Sequence, residues 1–129
     1  MNLRTSLLAL FFVLPVLAFA DITGTYTVMG VDPLSGPYSG TLVLDKNGSV
    51  FTGHWTFQGG GEDDATGVRK GDSLSLVFNE NHSSSFGTQL YKIDDGTLQG
   101  PWVRFEATSR GVETAVKVSD GVGDSQRSW

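Results

Sequence analysis

From Ile22 onward, apolar and polar residues alternate with a period of two, segment after segment. No run of ten or more residues puts apolar side chains at i, i+3, i+4 and i+7, so no helix is expected there. The segments are short and rich in Thr, Val, Tyr, Phe and Trp, residues that fit a pleated, half-buried surface. Each ends in a cluster of Gly, Pro, Asn, Asp or Ser. The pattern predicts eight strands, over 22–30, 38–44, 49–58, 64–70, 73–79, 86–93, 97–106 and 111–118. Asn47-Gly48 marks a tight hairpin because both residues tolerate positive φ. Gly71-Asp72 and Asp94-Asp95-Gly96 mark two further turns, and Gly59-Gly60-Gly61 a looser loop.

Eight strands in sequence order with mostly short connections read as an up-and-down meander. Left open, it would expose two unpaired edges; closing it into a barrel removes both. The expected fold class is therefore all-β, an eight-stranded antiparallel up-and-down β-barrel. A Greek-key sandwich would need longer crossing connections. Residue parity supports closure. Tyr26, Val28, Tyr38, Leu42, Leu44, Phe51, Trp55, Phe57, Leu74, Leu76, Phe78, Leu98 and Trp102 share one face. Thr23, Thr25, Thr27, Ser39, Thr41, Thr52, His54 and Thr56 share the other on the first three strands. An outer-membrane barrel would show the reverse arrangement. Glycines inside strands, such as Gly67 and Gly100, are expected where a small barrel bends or a large ring needs room.

The N-terminus adds a second kind of pattern. Arg4 precedes an apolar run over 7–17, broken only by Pro15, and Ala18-Phe19-Ala20 has the small-x-small form of a cleavage site. This predicts a signal peptide over 1–20, cut near Ala20-Asp21, too short to span a bilayer. A single domain over 21–118 and an aperiodic, mobile tail over 119–129 follow. The product is expected to be exported, periplasmic or secreted, with no membrane insertion of the mature chain. Cysteine is absent, so neither disulfides nor thiolate chemistry are available. The formal charge of −5 and the lack of a basic cluster argue against nucleic acid as a partner.

Gly24-Thr25-Tyr26 on the first strand, with Lys117 late in the last, resembles the signature of the calycin barrels, the lipocalins, avidins and relatives. In those a Gly-x-Trp packs under an Arg; here Tyr stands for Trp and Lys for Arg. The stretches 26–33, 38–42, 71–74, 95–102 and 111–115 resemble, in order, small exported bacterial proteins labelled fibronectin-binding. The resemblance covers about residues 22–118. It implies a calycin-like barrel and adhesion to host matrix.

Catalytic chemistry is not apparent. His54 and His82 are the two histidines, read as solvated, and no Gly-x-Ser-x-Gly occurs. Glu62-Asp63-Asp64 and Asp94-Asp95 read as solvated turn residues; a calcium loop would need a denser Asp-x-Asp-x-Asp-Gly pattern. Two distant histidines without Cys do not make a zinc site. No enzyme activity, cofactor or metal is expected. Asn47-Gly48-Ser49 and Asn81-His82-Ser83 are glycosylation sequons, relevant only in a eukaryotic source.

The informative residues are polar ones on the inward parity: Gln89, Arg104 and Glu113, beside Phe51, Trp55, Phe57, Tyr91 and Trp102. Two readings are open. In one, Phe51, Trp55, Phe57, Tyr91 and Trp102 line a cavity for a small apolar or amphipathic ligand, oriented by Gln89 and Arg104. In the other, an Arg104–Glu113 salt bridge plugs a filled barrel, since eight strands enclose just enough space for side chains or one small ligand. A packed barrel would then act through its surface, on an extracellular protein or glycan.

Overall fold

A computed structural model describes residues 20–122. The expected signal peptide, except Ala20, and the end of the expected tail, 123–129, lie outside the described residues. The strands are β1 (Gly24–Asp32), β2 (Gly36–Asn47), β3 (Val50–Phe57), β4 (Glu62–Lys70), β5 (Ser73–Glu80), β6 (Phe86–Asp94), β7 (Thr97–Arg104) and β8 (Gly111–Ser119). Each pairs antiparallel with its neighbour in sequence, and β1 pairs with β8 to close the barrel. This is the expected closed meander. The hairpin glycines Gly48, Gly71 and Gly96 all take positive φ, as their turns require.

The inward parity is also as expected. Tyr26, Val28, Leu42, Leu44, Phe51, Trp55, Leu74, Leu76, Phe78, Leu98 and Trp102 are buried, joined by Tyr91 and Ala65. At Gly67 and Gly100 the carbonyls of Ser75 and Leu90 on the neighbouring strands occupy the place of a Cβ. The wall bends there because no side chain stands in the way. The exterior is not uniformly polar: Met29, Val31, Val77, Leu90, Val112 and Val116 are exposed on the outside of β1, β5, β6 and β8.

Several strands extend beyond their expected ends. β1 continues through Asp32, β4 begins at Glu62 and β5 continues through Glu80. Each extension carries one more inward residue, because parity persists as long as the ladder does. β7 instead stops at Arg104; Glu106 takes φ of 65°, and Phe105 stacks on Phe86 at 4.7 Å. The tail was expected from Ser119, but Ser119 belongs to β8. The next residues are tied down too: Thr25 Oγ1 donates to the Gly121 carbonyl at 2.9 Å, and Lys117 Nζ bonds Asp120 at 3.0 Å.

The β6–β7 ladder is interrupted at Leu90, Tyr91, Gly100 and Pro101. Pro101 has no N–H to donate. Gln89 covers the gap: its Nε2 lies 3.1–3.2 Å from the carbonyls of Leu90, Gly100 and Pro101.

Candidate functional site

The two ends of the barrel differ. At one end lie the two termini of the barrel and the β2–β3, β4–β5 and β6–β7 turns. There Tyr26 is buried under Lys117, whose Nζ sits 5.9 Å from the ring centroid. The Tyr26 hydroxyl donates to the Ile22 carbonyl at 2.6 Å, and Lys117 Nζ donates to the Asp21 carbonyl at 3.0 Å. Burial pushes the Tyr26 hydroxyl up to about 12, so it stays a donor. Leu44, Leu74 and Leu98 fill the space behind it. The expected contact between Tyr26 and Lys117 is thus present.

At the other end, between the β1–β2, β3–β4 and β5–β6 loops, the barrel opens into a cavity of about 230 Å³. Its walls are Tyr38, Trp55, Phe57, Phe78 and Trp102. These rings meet edge to face, Tyr38 on Phe57 at 5.6 Å and Phe78 on Trp102 at 6.1 Å, the arrangement their quadrupoles favour. Ser35, Gly60, Gly61 and Asn81 form the rim. Trp102 lies across Gly111, where any Cβ would collide with the indole ring. Its buried indole N–H makes no well-formed hydrogen bond among the described residues, although the Tyr38 hydroxyl lies within its influence.

Six polar side chains face this space: Asp32, Asp63, Glu80, Gln89, Arg104 and Glu113. Glu113 is buried within the cavity's lining. It accepts from the Tyr38 hydroxyl at 2.9 Å, from Trp55 Nε1 at 3.1 Å and from the Tyr91 hydroxyl. Burial raises its carboxyl to about 7, although the bonds from Tyr38 and Trp55 favour the ionised form. Arg104 spans the mouth. It holds Asp32 through Nη1 at 3.2 Å and Nη2 at 2.7 Å, and Glu80 through Nε at 2.6 Å. Its guanidinium also stands 4.9 Å from the Trp102 ring centroid. The Arg104 hydrogen bond holds Asp32 down to about 2, against the effect of burial. Asp63 has no such partner: among the described residues, no Lys or Arg lies within ion-pair distance of it. Burial, with Glu80 opposite it on β5, pushes Asp63 up to about 6.

Five of the seven expected site residues meet here: Trp55, Phe57, Gln89, Trp102 and Arg104. Two do not line the cavity. Phe51 lies near the opposite end, beside Lys46 and a depression lined by residues 20–23, because it follows the β2–β3 turn by one strand position. Tyr91 is fully buried and reaches the site only through its bond to Glu113. The expected Arg104–Glu113 pair is not formed. Arg104 at the mouth end of β7 reaches across to β1 and β5, whereas Glu113 points to three neutral donors. Gln89 spends its amide nitrogen on the backbone gap rather than on the space it lines.

Asp63 is a half-buried strand residue, not the solvated turn residue expected. Its neighbour Asp64 faces outward and meets His54 Nδ1 at 2.6 Å and His82 Nδ1 at 3.4 Å. His54 is accordingly a partnered, half-buried side chain. Among the described residues no group of three His, Asp or Glu side chains is placed to hold a metal ion.

No protein-family model and no curated protein sequence matches the chain. Solved structures do. A redesigned β-barrel is similar with a TM-score of 0.62 and 10% identity, over 74% of this chain and 90% of that one. A de novo designed fluorescence-activating β-barrel matches with a TM-score of 0.59 and 11% identity, over 74% and 92%. A redesigned barrel, mFAP1, solved with DFHBI bound, matches with a TM-score of 0.60 and 10% identity, over 74% and 94%. At this identity the likeness is one of fold: a closed, eight-stranded, up-and-down barrel.

Proposed function

We propose that this protein is an exported, non-enzymatic binding protein that takes a small amphipathic ligand into the open end of its barrel. The observation that carries this is the aromatic cavity of about 230 Å³. Apolar walls supply burial, and a few polar groups at fixed positions supply orientation, the composition of a small-molecule site. A cavity of roughly 150 Å³ already accepts benzene, so this one has room for one or two rings, and a further ring can project through the open mouth. The fold neighbour solved with DFHBI supports the reading, as a barrel of this shape holding a compact ligand. The non-enzymatic part rests on the sequence, in which no catalytic motif is recognisable, and on the engagement of Glu113 by three donors and of Arg104 by two carboxylates. Export rests on the sequence of residues 1–20. The alternative, adhesion to a matrix protein or glycan, rests on the sequence resemblance and on the hydroxyl-rich outer face of the first three strands.

The test is a titration of the purified protein with the uncharged dye N-phenyl-1-naphthylamine, beside native mass spectrometry. Saturable, one-to-one dye fluorescence is expected, and Ser35→Trp, which crowds the rim, should weaken it. A wild-type protein giving neither saturation nor a bound mass would sink the lumen reading.

A further inference from the structure

The charges facing the cavity are unbalanced. Four carboxylates, Asp32, Asp63, Glu80 and Glu113, share the space with one guanidinium, Arg104. That guanidinium is already engaged on Asp32 and Glu80 and laid on Trp102. An anionic guest would meet an excess of negative charge, and the one cation it could use is occupied.

Asp63 has the opposite need. It faces inward from β4, half-buried, with Trp55 beside it on β3 and Glu80 beside it on β5. No Lys or Arg among the described residues forms an ion pair with it, and the Asn81 backbone and the more distant Arg104 only partly offset its burial. Its raised carboxyl is the sign of a charge that burial and a like-charged neighbour both oppose. The ring beside it supplies a second attraction for positive charge, because cations are drawn to the electron-rich face of an indole. A third feature is independent of the acids: the Trp102 indole, 8% exposed and lining the same cavity, has an N–H that makes no well-formed hydrogen bond among the described residues, with the Tyr38 hydroxyl, itself donated to Glu113, as its polar neighbour. A buried donor left unpaired is costly and calls for an explanation, and an acceptor brought in by a guest would provide one.

We propose that the ligand is a small organic cation, a protonated amine on an aromatic or alkyl body, with its ammonium on Asp63 and Trp55 and its body among the remaining rings. This rests on the lumen reading and narrows it. The balance of forces is ordinary. A desolvated ammonium–carboxylate contact and a cation–aromatic contact are together sufficient to select against the anionic counterpart by about tenfold or more.

Isothermal titration of the intact mature protein near pH 7.5 with 2-phenylethylammonium, 2-phenylethanol and phenylacetate tests it, since the three share one body and differ in charge. The expected order is ammonium tightest, alcohol intermediate and carboxylate weakest, with about tenfold or more between the extremes. In Asp63→Asn, checked for folding by circular dichroism, the ratio of ammonium to alcohol affinity should fall toward one. Carboxylate binding as tight as ammonium, or a ratio unmoved by Asp63→Asn, would overturn the cation assignment. So would a failure of ammonium to bind while N-phenyl-1-naphthylamine still does, and that result leaves the lumen reading standing. Loss of dye binding as well removes both. If Asp63→Asn does not fold, the order of the three probes on the wild type decides alone.

Discussion

The two ends of this barrel are made by the same strands and the same inward parity, yet one is a core and the other a site. Following the inward positions from the closed end to the mouth shows the change on strand after strand. β1 runs from Tyr26 and Val28 to Asp32, and β5 from Leu74, Leu76 and Phe78 to Glu80. β7 runs from Leu98 through Trp102 to Arg104, and β8 from Ala115 to Glu113. At the closed end Lys117 covers Tyr26, Lys46 lies over Phe51 and Arg69 holds the Ala20 and Gly71 carbonyls, above an apolar layer. At the mouth the last inward residue of β1, β5 and β7 is charged, and Arg104 ties these three strands, which are not sheet neighbours. The difference separates two kinds of cohesion along one axis: apolar packing holds the closed end, and hydrogen bonds and ion pairs hold the polar groups of the open end in place.

The contrast can be broken most severely at Glu113. Glu113→Leu removes the acceptor of Tyr38, Trp55 and Tyr91 at once. Stranding three buried donors at about 1–3 kcal/mol each should cost roughly 5 kcal/mol, read as a fall in the urea midpoint. Glu113→Gln keeps an acceptor and should cost far less. An equal loss in both variants would show that shape, not hydrogen bonding, governs the position.

The closed end responds to packing instead. Tyr26→Ala should lose about 4 kcal/mol, as large aromatic deletions in cores do. Lys117→Ala, which removes a cation–ring contact and two exposed hydrogen bonds, should lose about 1 kcal/mol. A Tyr26→Ala midpoint equal to the wild type would mean the ring contributes nothing to closure.

The contrast is sharpened further by pH. The Glu113 carboxyl ordinarily titrates near 4.5 and is raised to about 7 by burial in the folded protein. Between those values the folded state holds a proton the unfolded chain has lost, so stability falls as pH rises from about 4.5 to 7 and levels off above. The expected span from Glu113 is about 3 kcal/mol. Asp63, raised to about 6, acts in the same direction. Asp32 acts the other way: held near 2 by Arg104, its contribution is present above its ordinary value of 3.8 and lost as the pH falls toward 2. Thermal melts should therefore peak near pH 4, and the decline toward pH 7 should flatten in Glu113→Gln. A wild-type curve flat from pH 4.5 to 7 would contradict the burial of that charge.

The strands and their facing were legible because a half-buried strand writes its period into the chain, and Gly, Asn and Asp mark where it turns. Trp55, Phe57, Gln89, Trp102 and Arg104 followed from parity. Asp32, Asp63 and Glu80 were missed for one reason. Each lies at a strand end beside a turn cluster, where a charged residue reads as solvated. Counting two further positions, from Val28 through Gly30 to Asp32, from Phe78 to Glu80 and from Ala65 back to Asp63, would have brought all three inside. Parity also says nothing about height along the barrel, so Phe51 was grouped with residues at the other end. The partners of Arg104 were beyond reach for a different reason. They are set across the lumen, between strands that share no ladder, and neighbour-by-neighbour reasoning proposed Glu113 on the adjacent strand instead.

The seam between β1 and β8 has a consequence in time. It joins the first strand to the last, through contacts between residues 96 positions apart in the chain. Every other strand pair can form between neighbours as the chain lengthens, but this one must wait for β8 to be synthesised. Until then the meander carries two unpaired edges, each a template for another chain. Closing so long a loop places folding among the slower, non-local topologies, on the order of milliseconds to seconds. Substitutions that weaken the seam should therefore lower the yield of soluble protein before they change anything measurable in the finished barrel.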